Sequence, residues 1–82
     1  MTTEEIKDEL KEFLVAELEI SPERISDDAR LKEDIGIDSL DYVDIIAFVR
    51  RSYGFKIEKA EMSGITTYGQ FCQFISSKTV ND

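Results

Sequence analysis

The sequence predicts an all-α fold, a four-helix bundle of three main helices, one short helix and a long first loop. Three observations carry this expectation. Apolar residues recur at helical spacing in three separate stretches, helix-start signals stand in front of each, and nowhere does a stretch alternate like a strand. The 82 residues leave room for only one core, so residues 1–82 read as a single domain. A domain this small is expected to have modest stability.

Thr2 to Glu19 reads as the first helix. Thr2 and Glu5 have the spacing of a capping box, in which each side chain accepts the other's backbone N–H. Ile6, Leu10, Phe13, Leu14 and Leu18 fall on one stripe, and Lys7 and Lys11 can pair with acids one turn away. Ile20 to Ile37 forms a long connection. Ser21-Pro22 stops the helix or starts a turn, and Ile25, Leu31, Ile35 and Ile37 should pin the loop to the core. Its acids, Asp27, Asp28, Glu33 and Asp34, lack the alternating order of an EF-hand, so no dedicated metal site is expected.

The second helix runs from Ser39 to about Ser52. Gly36 lets the chain bend ahead of it, Asp38 can cap its first turn, and Asp41 faces the positive end of the helix dipole. Leu40, Val43, Ile45, Ile46, Ala47, Phe48 and Val49 nearly encircle its middle, which predicts a buried central element. Gly54 suits a left-handed stop. Lys59 to Ser63 forms one or two short turns, closed near Gly64. Thr67 and Gln70 open the last helix, about Thr67 to Ser77, with Tyr68, Phe71, Cys72 and Ile75 on its inner stripe. Cys72 therefore reads as a small buried hydrophobe, and Lys78 to Asp82 should fray.

Composition narrows the function classes. Without His there is no Ser-His-Asp triad, and a single Cys allows neither an internal disulfide nor a Cys-x-x-Cys site. No catalytic constellation is visible, so the chain is not expected to be an enzyme. The net charge of −8 is uneven: residues 1–49 carry 15 acids and 5 bases, residues 50–82 only 3 acids and 5 bases. Nucleic acid would repel such a chain, whereas basic patches on other proteins would attract it. The N-terminus lacks the pattern of a secretory signal, and no run approaches the ~20 apolar residues that cross a bilayer. A cytoplasmic location is expected.

Gly36-Ile37-Asp38-Ser39-Leu40 resembles the Gly-x-Asp-Ser-Leu attachment motif of the acyl carrier protein family. The likeness covers nearly the whole chain, including the motif helix from Asp38 to Val49 and Ile65-Thr66-Thr67 before the last helix. It implies an acyl-carrier-like bundle in which a separate phosphopantetheinyl transferase, using magnesium, moves 4'-phosphopantetheine from coenzyme A onto Ser39. Asp38 and Asp41 would then face basic groups of that transferase, and Leu40, Val43, Asp44 and Ala47 would form the strip that partner enzymes read. An acyl cleft bordered by the second, third and last helices would have Val49, Ile57, Met62, Ile65 and Phe71 as candidate walls. The implied function is to carry acyl intermediates as thioesters to acyl-loading, condensing and acyl-transfer enzymes of fatty-acid, polyketide or related lipid biosynthesis. The implied carrier is a monomer that holds no metal of its own.

Three positions depart from the family pattern. Arg50-Arg51 stands where members commonly stay acidic, which points to a specialised carrier with dedicated partners, although cations also suit a helix C-terminus. Phe71 is bulky where the family often has a small residue, which would narrow the cleft. Two alternatives stay open. One is a peptidyl or aminoacyl carrier, including a D-alanyl carrier, against which Asp38 leans. The other is an unmodified acidic helical adaptor binding through Leu40, Val43 and Ala47.

Overall fold

The computed structural model describes residues 2–79. Four α-helices follow the predicted order: α1 (Thr3–Glu17), α2 (Ser39–Tyr53), α3 (Lys59–Met62) and α4 (Tyr68–Thr79). The long first connection contains a 3-10 turn at Pro22–Arg24 and a π turn at Leu31–Ile35. Among the described residues there is no β-strand, only an isolated bridge between Arg30 and Thr67.

The capping boxes form as expected. At the start of α1, the Glu5 N–H donates to Thr2 Oγ1 at 3.2 Å and the Thr2 N–H donates to Glu5 Oε1 at 2.9 Å. Before α4, the Gln70 N–H donates to Thr67 Oγ1, and Gln70 Oε1 accepts from the Thr67 N–H. These bonds satisfy donors that the helices themselves leave unpaired.

The densest packing lies between α1 and α4. Ile6, Leu10, Phe13 and Leu14 of α1 and Tyr68, Phe71, Cys72 and Ile75 of α4 are all buried in one apolar core. Each such side chain contributes roughly 1.5–3 kcal/mol on burial. The Tyr68 hydroxyl donates to the Lys7 backbone carbonyl, which couples the two helices through a polar contact.

The first connection is held against α4 by backbone bonds. The Leu31 N–H donates to Thr66 O, while the Tyr68 and Gly69 N–H groups donate to Ala29 O and Asp27 O at 2.9 and 3.0 Å. The loop thus supplies acceptors to first-turn donors of α4. At Gly69 a Cβ would sit 3.0 Å from Asp27 O and 3.3 Å from Asp27 Cβ, so a larger residue would press the Asp27 backbone aside. Asp27 pairs with Lys7 at 3.0 Å, and Asp34 accepts from the Arg30 backbone N–H and guanidinium. Ile25, Leu31, Ile35 and Ile37 are buried and pin the connection as expected.

Two expectations are corrected. The second helix is not the buried centre: only Ile45 and Val49 of α2 are buried, Ile46 and Phe48 are half-buried, and Leu40, Val43 and Ala47 are exposed. Its apolar girdle is wider than the surface that the rest of the chain covers, which includes the Phe13 ring of α1 stacked on Phe48. Lys78 and Thr79 do not fray. They belong to α4, where Lys78 Nζ lies 2.8 Å from Glu61 and 5.6 Å from the centre of the Phe74 ring. The remainder of that expectation, residues 80–82, lies outside the described residues.

Candidate functional site

The site is built from the π turn onward. That turn ends at Gly36, whose φ of 89° is left-handed and easily reached only without a side chain. Ile35 and Ile37, on either side of Gly36, are both buried, and the Ile37 N–H donates to Leu31 O at 2.9 Å. The chain is therefore anchored two residues before Ser39.

Asp38 then adopts an extended conformation and caps α2. Its Oδ1 accepts from the Asp41 N–H at 2.9 Å, and Asp41 Oδ2 accepts from the Asp38 N–H at 3.3 Å. This reciprocal box was not foreseen, although the three-residue spacing of the two aspartates signals it. Each carboxylate commits one oxygen to the cap, which leaves the other directed to neither of these bonds. Ser39 is the first residue of α2 and is exposed. None of the side-chain hydrogen bonds among the described residues engages its hydroxyl.

Leu40 and Val43 flank Ser39 and are 75% and 63% exposed. A single exposed apolar side chain is ordinary, but these two, with exposed Ala47 one turn further, form a continuous strip. Asp44 is exposed beside the strip and Asp41 is half-buried.

A cleft of about 780 Å³ opens next to Ser39, between α2 and the segment from Lys56 to Ser63. Of the candidate walls, Ile57 and Met62 line it. Val49 and Phe71 do not, being 0% and 1% exposed in the closed core, and Ile65 packs half-buried against that core. Ile46, Tyr42, Lys56 and Lys59 also line the cleft and were not singled out from the sequence. Ile46 carries a readable signal, because it follows Leu40 and Val43 at three-residue steps. The lysines carry none, since a loop and a single helical turn have no periodicity to read.

Two grooves of about 550 and 560 Å³ lie elsewhere and do not reach Ser39. The first is rimmed by Glu9, Glu12 and Glu17 over Phe13 and Phe48, whose rings stack 4.3 Å apart. The second is a polar hollow in the first connection.

The chain's own thiol is remote from this chemistry. Cys72 is fully buried, and burial pushes its pKa up to about 12. It is protonated and shielded at neutral pH, so it serves as core packing. Among the described residues no group of His, Cys, Asp or Glu is arranged to hold a metal ion, and no helix is long and apolar enough to cross a membrane.

Residues 8–75 match the family model described as a phosphopantetheine attachment site. An acyl carrier protein of Saccharopolyspora erythraea is 35% identical over 69 residues, covering 84% of this chain and 73% of the relative. An acyl carrier protein of Sulfurovum sp. is 31% identical over 70 residues, covering 85% and 93% respectively. One from Thermotoga maritima is 31% identical over 75 residues, covering 92% and 93%.

Proposed function

The chain belongs to the acyl carrier protein family, and from that premise we propose that Ser39 is its attachment residue for 4'-phosphopantetheine. The observation that carries this reading is an exposed hydroxyl on the first residue of a rigidly capped helix, next to an exposed apolar strip. The residues present fit the group. Ser39 offers a hydroxyl unengaged by the described side chains, and a partly apolar cleft opens beside it. When bound, the group supplies the thiol that holds an acyl chain as a thioester.

The protein's own residues position and present. Asp38 and Asp41 hold the helix start, so that Ser39 is offered in one orientation. With no His in the chain, and no side-chain hydrogen bond to Ser39 among the described residues, the proton of its hydroxyl is removed by a base on the phosphopantetheinyl transferase. The remaining carboxylate oxygens of Asp38 and Asp41, together with Asp44, attract basic patches on that transferase and on acyl-loading, condensing and acyl-transfer enzymes. Leu40, Val43 and Ala47 supply the apolar contact once docked.

On this reading the protein is a single carrier domain, a cytoplasmic monomer that catalyses no reaction itself. It delivers acyl intermediates in fatty-acid, polyketide or related lipid biosynthesis. The exposed Arg50 and Arg51 in the last turn of α2 favour a specialised carrier with dedicated partners. The test is intact-protein mass after incubation with coenzyme A, magnesium and an active phosphopantetheinyl transferase. Wild type is expected to gain one phosphopantetheine and Ser39→Ala none. A gain in both, or in neither while both stay folded and a control carrier is modified, would overturn the assignment.

A further inference from the structure

Resting on the carrier reading above, we propose that the cleft beside Ser39 favours acyl cargo whose far end is anionic, held by Lys56 and Lys59. The cleft joins two kinds of surface. Ile46, Ile57 and Met62 give it apolar walls, while Lys56 and Lys59 stand exposed on the side formed by the segment before and within α3.

Like most cations of the chain, neither lysine takes part in a salt bridge among the described residues, where only Lys7, Arg30 and Lys78 are paired; what sets Lys56 and Lys59 apart is their place on the lining of this cleft. Glu58 lies between them on the same lining and offsets one charge. The ionisable lining is then one positive charge in excess, on a chain whose net charge is −8.

A plain alkyl chain would be satisfied by the apolar walls alone and gives two cations nothing to pair with. A carboxylate at the end of an acyl chain answers both surfaces: its methylenes lie on Ile57 and Met62, and its charge meets the lysines. Pairing at the edge of an apolar wall is also stronger than in open water. A dicarboxylic acyl group has this chemistry. The other anion that would adjoin this cleft is the phosphodiester at Ser39, a residue that lines it with the same lysines, and the experiment separates the two.

The holo, hexanoyl and adipoyl forms are prepared with a transferase from the matching coenzyme A compounds, and each is confirmed by intact mass. Failure at this step would count against Ser39 modification, before any cargo is compared. Thioester hydrolysis is then followed at mildly alkaline pH, and each rate is normalised to the free coenzyme A thioester. NMR shifts at Ile57 and Met62 are recorded in parallel.

The adipoyl form is expected to hydrolyse about two- to fivefold more slowly than the hexanoyl form, the range that exposed ion pairs provide. High salt should shrink the difference, and Lys56→Gln with Lys59→Gln should abolish it while leaving the hexanoyl form unchanged. Equal normalised rates and equal shifts for the two cargoes in wild type would overturn the proposal. Lysine-dependent shifts already present in the holo form, with no difference between cargoes, would also overturn it and assign the lysines to the phosphodiester.

Discussion

The α1–α4 side of the molecule and the Ser39 side are built by opposite rules. Between α1 and α4 the apolar stripes meet, Tyr68 bonds to the Lys7 carbonyl, and the first connection supplies acceptors to the start of α4. Around Ser39, Leu40 and Val43 are left uncovered, and Lys56 and Lys59 have no salt-bridge partner among the described residues. The molecule separates the surface that keeps it folded from a surface that its own chain leaves open. Substitutions on one side should therefore be read in stability, and those on the other in modification and docking.

The largest effect should come from the closed side. Leu10→Ala and Ile75→Ala each remove a side chain that is 0% exposed, at an expected cost of ~2–5 kcal/mol. That is a large part of the ~5–15 kcal/mol that holds a typical domain together. Urea unfolding followed by circular dichroism should show a strongly lowered midpoint for either variant. Leu40→Ala and Val43→Ala should stay within ~0.5 kcal/mol of wild type in the same assay, while weakening transfer of the arm by the transferase. An equal loss of stability on both sides would break the contrast.

Gly69→Ala tests the seam between loop and helix. The added Cβ would press on the Asp27 backbone, and overpacking of this kind costs ~1–3 kcal/mol. Asp38 sharpens the comparison, because it lies on the Ser39 side yet caps a helix. Asp38→Ala should cost ~0.5–2 kcal/mol. Asp38→Ser should recover most of that stability, since a hydroxyl also caps, without recovering the charge seen by a basic partner. If the Ser variant regained modification as fully as stability, the role of Asp38 would be the cap alone.

Acid should weaken the fold through named carboxylates of the first connection and α3. The Lys78 ammonium and then the Glu58 N–H hold Glu61 below its ordinary 4.5, while the Arg30 backbone N–H and guanidinium hold Asp34 below 3.8. A carboxylate depressed in the folded state contributes stability above its unfolded pKa, and that stability is lost as pH falls through the folded value. The melting temperature should therefore drop as pH is lowered from 5 toward 3. In Glu61→Gln with Asp34→Asn, melting should begin lower at neutral pH and fall less steeply in acid. An unchanged slope would remove these two carboxylates as the cause.

What could be read in the sequence follows the range of the interactions. The capping residues Thr2, Asp38 and Thr67 and the buried stripes of α1 and α4 depend on neighbours three or four positions away, and spacing alone reveals them. Gly54 was equally legible as a left-handed stop, with φ of 81°. The π turn at Leu31–Ile35 was not legible, because its Ile35 N–H reaches back to Arg30 O and the turn is held in place by Thr66 from a distant segment. The burial of α2 was misjudged for a related reason. Apolar composition shows that a helix needs cover, but not whether its own chain or a partner provides it. The same ambiguity bears on the cleft: the opening beside Ser39 is lined by α2 and residues 56–63, including Ile57 and Met62, but by nothing from the last helix, and Val49 and Phe71 lie in the core.

The smallest predicted effect is a gain, at the junction between α1 and the first connection. Glu19 has a φ of 57°, the only positive value at a non-glycine position among the described residues. There the chain turns back, and the Leu18 and Ile20 N–H groups both donate to Leu14 O at 3.2 Å. A left-handed residue at a helix end is most often glycine, because a Cβ crowds the backbone in that conformation. Glu19→Gly removes that crowding but frees the unfolded chain, so the net gain should be only ~0.5–1 kcal/mol. Glu19→Ala is the necessary control. It removes the same charge from an acid-rich stretch but keeps the Cβ, and it should leave the unfolding midpoint close to wild type. If Ala stabilises as much as Gly, relief of charge repulsion is the cause and the backbone at Glu19 carries no strain.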